Sequence, residues 1–178
     1  MTQTTVHHTP AATITHTTVL LVGGVDCDVT VYHARTPDVR IVLRFGTAMM
    51  TLYSADTAQG LLEAFAAARA AIARLPRQIP APATGTHEPV ARTALAIEWT
   101  RRPGYSVVAQ SAPNKTRTAV VHWVDLHCGP LTFQIRDQAG LHSTVELLTR
   151  VHRSAVAVCL DGPEHAADPT AEDYRFAP

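Results

Sequence analysis

The sequence predicts an α+β protein built as two tandem units, each a four-strand meander followed by one helix. The units pack pseudosymmetrically, as antiparallel sheets with the helices on one face. Two observations carry this. Residues 17–75 and 92–160 each read as about four short runs of period two followed by one run of helical period. Between them, residues 76–91 hold four prolines and a glycine without any apolar period, which makes them a linker. With 178 residues and a 46% apolar fraction, the chain buries a core without disulfides. Its three widely spaced cysteines, Cys27, Cys128 and Cys159, form no CxxC pair and read as buried free thiols of a reducing cytoplasm.

Residues 1–16 are rich in Thr and His and read as a flexible arm. They lack the basic start and apolar run of a secretion signal, and no stretch is long and apolar enough for a membrane span, so a cytoplasmic protein without a membrane partner is expected. In the first unit, Thr17 to Val22 is a β-branched run that Gly23-Gly24 stops. Cys27 to His33 alternates, with Val29 and Val31 on one face and Asp28, Thr30 and Tyr32 on the other. Val39, Ile41, Leu43 and Phe45 alternate with Asp38, Arg40 and Arg44, a half-buried strand that ends at Gly46. Thr47 to Tyr53 supplies the fourth strand. Ser54 or Asp56 then caps a helix whose Leu61, Phe65, Ala68, Ile72 and Leu75 share one stripe, with Glu63, Arg69 and Arg74 elsewhere. Its alanines suit close packing, on its own sheet or as a dimer seam.

In the second unit, Leu95, Ile97 and Trp99 share a strand face, and Arg101-Arg102-Pro103-Gly104 turns the chain. Tyr105, Val107 and Ala109 follow, then a turn at Pro113-Asn114-Lys115. Thr118 to Val124 is apolar on both faces, as in a central strand, and Leu131, Phe133 and Ile135 alternate. Asp137 caps a helix from about 138 to 153 with Leu141, Val145, Leu148 and Val151 inward. Residues 155–160 extend it or form a short strand. A repeated unit of this kind buries its core against its copy, as two packed sheets or as one long sheet.

Charge is uneven. Up to Arg153 there are fourteen basic and ten acidic residues, whereas residues 161–178 hold five acids and only Arg175, so a mildly basic body precedes an acidic tail expected to be flexible. A single lysine against fourteen arginines reflects high-GC coding bias.

Four strands followed by a helix, given twice across about 17–158, resembles the order of the PC4 and Whirly group of single-stranded-DNA-binding proteins. The resemblance lies in element order, with no sequence signature of that group. It implies binding of single-stranded DNA or RNA across an exposed sheet face. Such binding needs cations for phosphates and flat side chains for bases. The candidates are Tyr32, Arg40, Arg44, Arg101, Arg102, Lys115, Arg117 and Arg136. An alternative of equal standing is a regulatory or accessory factor that binds a protein partner or its own copies through sheet edges.

A third reading, a small metal-dependent enzyme, rests on His122, Asp125, His127 and Cys128, residue types that ligate transition metals. No regular helical His pair, four-ligand zinc pattern, phosphate loop or GxSxG accompanies them, and His7, His8 and His16 chelate at most adventitiously. The expectation is therefore a non-enzymatic binding protein with no catalytic residues, no metal and no cofactor.

Overall fold

The computed structural model describes residues 14–25, 27–80 and 94–175. Most of the expected arm (1–13), most of the expected linker (81–91), Asp26 and residues 176–178 lie outside these. The elements run β1 (Thr17–Leu21), β2 (Cys27–Tyr32), β3 (Arg40–Phe45), β4 (Ala48–Leu52), α1 (Ala55–Ala68), β5 (Leu95–Trp99), β6 (Tyr105–Pro113), β7 (Val120–Cys128), β8 (Leu131–Ile135) and α2 (Gln138–Val158). A 3-10 segment, Arg69–Arg74, continues α1, and another, Gly162–His165, follows α2. Over the described residues the fold is α+β, with two four-stranded sheets and two α-helices.

Strand exchange makes both sheets mixed. β2, β3 and β4 form a meander, as do β6, β7 and β8, but the first strand of each expected unit joins the other unit's sheet. β1 lies parallel to β8, and β5 lies parallel to β4, giving the orders β1-β8-β7-β6 and β2-β3-β4-β5. Two antiparallel sheets of four consecutive strands were expected. The difference has a simple cause: alternation fixes which side chains face inward but not which neighbour a strand pairs with. β4, α1 and β5 form a parallel crossover, the connection that a helix between two strands provides.

Apolar residues of both sheets converge on α1. Ile41, Leu43 and Leu52 from one sheet and Val124, Leu126, Phe133 and Ile135 from the other are fully buried. Phe133 on β8 meets Phe65 of α1 edge-on at 4.9 Å and Phe45 of β3 at 6.3 Å, so one ring ties both sheets to the helix. Each such side chain contributes roughly 1.5–3 kcal/mol of burial.

α1 is buried on nearly every side, touching α2, β4, β6 and β7. Small side chains permit this: Ala55, Ala58, Ala64 and Ala68 let neighbours approach closely. Ser54 caps the helix, accepting from Thr57 N–H at 3.1 Å. Asp137 caps α2, and that helix continues through 155–158 rather than giving way to a strand.

Candidate binding surfaces

The outward face of the β2-β3-β4-β5 sheet gathers three of the candidates. Register sets Tyr32 opposite Arg40 and Asp28 opposite Arg44, and Met49 flanks Arg44 on β4. The Arg40 guanidinium lies 5.9 Å from the Tyr53 ring centre, so two tyrosines bracket one cation. On β5, Glu98 lies opposite Thr51 on this same face. This face thus carries two acids, Asp28 and Glu98, as well as Arg40 and Arg44, with no ion pair between them among the described residues.

Arg136 belongs to the other sheet. It lies 5.3 Å from the Trp123 ring centre and donates to Gln134 Oε1 at 3.3 Å, while Gln134 Nε2 reaches Asp125 Oδ1 at 3.5 Å. Beside them, Thr132 Oγ1 shares hydrogen bonds with His127 Nδ1 at 2.8 Å and His16 Nε2 at 3.1 Å. Tyr32, Arg40 and Arg44 thus come together, but Arg136 does not join them. Lys115 and Arg117 are exposed in the β6–β7 hairpin, whose tip the Asn114 side chain closes by accepting from Thr118 N–H at 2.8 Å. Arg101 is exposed in the β5–β6 turn.

Arg102 corrects the expectation most sharply, because it is an internal cation. Its guanidinium donates to Asp56 Oδ1 at 3.0 Å, Gln59 Oε1 at 2.9 Å and Glu63 Oε2 at 2.5 Å. Glu63, expected away from the apolar stripe, is only 1% exposed. Tyr105 donates to its Oε1 at 3.1 Å and Tyr174 to its Oε2 at 2.5 Å. A buried carboxylate needs this many donors. Gly60 makes room for Arg102: a Cβ there would lie 2.5 Å from Arg102 Cγ.

Tyr174 also shows that the acidic tail is not free over 161–175. The Asp161 carboxylate accepts from the N–H groups of Ala55 and Asp56, at 3.0 and 3.1 Å, at the start of α1. An anion there meets unpaired donors and the positive end of the helix dipole. Gln59 Nε2 donates to the carbonyls of His165 and Ala167. The tail's acids read as solvated in sequence, yet Asp161 is a cap.

The histidine and cysteine group disperses. His122 borders Ala71 and Arg74 of the 3-10 segment and Leu75 just after it, whereas His127 shares the opposite, outward strand face with Thr132. Cys128 is fully buried, and burial pushes its thiol up to about 12, which keeps it protonated and a poor nucleophile or ligand. Cys159 is pushed up to about 11 by burial and by Asp161. Among the described residues no group of three or more His, Cys, Asp or Glu side chains is placed so as to hold a metal ion.

A different feature, which the sequence order concealed, is the outer edge of β1, free of any described strand. Thr17 N–H donates to Pro130 O and Arg136 N–H donates to Leu21 O, so alternate residues Thr17, Val19 and Leu21 spend their backbone groups on β8. The N–H and C=O groups of Thr18 and Leu20 point the other way. That edge borders an open cleft of about 440 Å³, walled by residues 17–22 along one side and by Phe45, Gly46, Thr47, Ala48 and Leu95 along the other. No described strand pairs with it. Leu20 is 60% exposed.

Comparison of the chain with family models, with curated proteins and with solved structures finds no match. No helix among the described residues is long and apolar enough to cross a membrane.

Proposed function

We propose that this chain is a non-enzymatic interaction module that takes an extended segment of a protein partner as an added strand along β1. The observation that carries this reading is the β1 edge, with which no described strand pairs, lying along an open cleft. An exposed edge presents a row of backbone donors and acceptors, and an extended peptide satisfies them whatever its sequence, with side-chain pockets adding preference. Five residues of β1 offer about 17 Å of edge, the span of a five-residue strand. The sheet faces support a nucleic-acid ligand less well, since each carries as many carboxylates as arginines, Asp28 and Glu98 beside Arg40 and Arg44 and Asp125 near Arg136, and Arg102 is committed to Glu63.

Peptides selected from a random library on the folded protein provide the test. In amide-resolved NMR, Thr18 and Leu20 are expected to gain protection from hydrogen exchange on binding. Replacing Leu20 with Pro, which deletes one of those donors at an edge that tolerates proline, is expected to weaken binding by at least tenfold. Selected peptides that leave both amides unchanged sink the reading.

A second reading keeps single-stranded DNA or RNA as ligand, favoured by one observation: each sheet sets an arginine against aromatic rings on its outward face, Arg40 beside Tyr53 and Tyr32, Arg136 beside Trp123. Rings stack bases and guanidinium groups neutralise phosphates. It expects salt-sensitive retention of a single-stranded oligonucleotide that weakens in the Arg40→Ala/Arg44→Ala variant. Absence of retention at low salt removes it.

A further inference from the structure

The cleft along β1 adjoins a basic cavity. Val25 walls the cleft and also walls a second open cavity, of about 630 Å³, that runs along α2. Arg69, Arg150 and Arg153 line this cavity, and none of them has a described carboxylate within ion-pair distance. The described acids beside them are Glu146 in the same wall and Asp168, whose carboxyl, against the upward push of partial burial, is held below its usual range by its bonds to Thr170 and then by His152 and Arg153. The junction is fixed: Val25 N–H donates to Ser143 Oγ at 3.1 Å, and the Ser143 hydroxyl reaches Gly140 O at 3.2 Å, which ties the β1–β2 turn to α2.

Resting on the strand-addition reading, we infer that the partner segment is acidic. About five extended residues lie along β1, and carboxylate side chains next to them reach past Val25 to Arg69, Arg150 and Arg153. Three guanidinium groups against the single carboxylate of Glu146 on one wall favour an anionic ligand, and they set the direction and register of a strand whose backbone bonds alone specify neither. The solvent-exposed position of these arginines makes the effect one of selectivity and salt dependence.

The test uses labelled synthetic peptides with one alternating Val-Thr segment, extended at either end by Glu-Asp-Glu or by Gln-Asn-Gln, on the full chain at low salt. The acidic extension at one end is expected to bind about tenfold tighter than its amide counterpart. In the Arg150→Gln/Arg153→Gln variant that advantage is expected to vanish while Thr18 and Leu20 remain protected by either peptide. Equal binding of acidic and amide peptides, or an advantage that survives the double substitution, overturns the inference while leaving strand addition standing. Peptides that bind without protecting Thr18 and Leu20, or a single-stranded oligonucleotide that outcompetes the acidic peptide at Arg150 and Arg153, overturn both.

Discussion

Replacing Asp137 with alanine is expected to lower stability by about 4 kcal/mol, read as a fall in the urea midpoint at unchanged slope. The carboxylate is fully buried and serves three separate stretches of chain. Oδ1 accepts from Gly140 N–H at 2.7 Å, capping α2, and both oxygens accept from Gly23 N–H at 3.0 Å, just beyond β1. Oδ2 accepts from Ile79 N–H at 2.8 Å, where the chain leaves the 3-10 segment after α1. Alanine orphans all three donors. Loss of a cap alone costs about 1 kcal/mol, and each buried orphaned donor costs roughly 1–3 kcal/mol, less where water reaches Gly23 and Ile79. Asparagine keeps Oδ1 for Gly140 and Gly23 but turns an N–H₂ toward Ile79, so Asp137→Asn is expected to cost about half as much. A loss under about 1 kcal/mol for alanine removes Asp137 as the joint between β1, the segment after α1, and α2.

The cap of α2 was readable because Asp before an apolar run of helical period has one common physical use. The same holds for β3, where Ile41, Leu43 and Phe45 alternate with Arg40 and Arg44 and are buried as the alternation requires. What sequence did not disclose were pairings that depend on distant chain. Nothing in Thr17 to Leu21 names β8, more than a hundred residues away, as its parallel neighbour. The candidate surface failed for a related reason. Arg102 carries the residues of a turn cation, and only the fold brings Glu63 beneath it. One signal was available: Gln59 and Glu63, four residues apart in an alanine-rich helix, share a face that the apolar stripe does not explain, and a polar pair so placed is either solvated or satisfied internally. The tail's Tyr174 and Asp161 supply what satisfies the N-terminal half of α1.

The second large effect is expected at that buried carboxylate. Arg102→Ala leaves Glu63, 1% exposed, with only the hydroxyls of Tyr105 and Tyr174, and is expected to cost about 3 kcal/mol, the low end for a broken buried ion pair because Arg102 itself is 27% exposed. Lysine restores the charge but not the fork that spans Asp56, Gln59 and Glu63, so Arg102→Lys is expected to recover less than half. Glu63→Gln removes the charge that demands compensation. Added to Arg102→Ala, it is expected to make the double variant more stable than the sum of the two losses predicts, and strict additivity would mean that the two residues are not coupled. Alkaline pH gives a reading without substitution at the ion pair. Burial, reinforced by the Glu63 charge, pushes the Tyr105 hydroxyl up to about 12, against about 10 in an unfolded chain. The folded state therefore keeps a proton that the unfolded state releases. This contribution is complete below pH ~10 and is lost as pH rises towards ~12. Tyr105→Phe is expected to lose stability more gently than the wild type across that window, and parallel declines in the two proteins would show that Tyr105 does not hold its proton against Glu63.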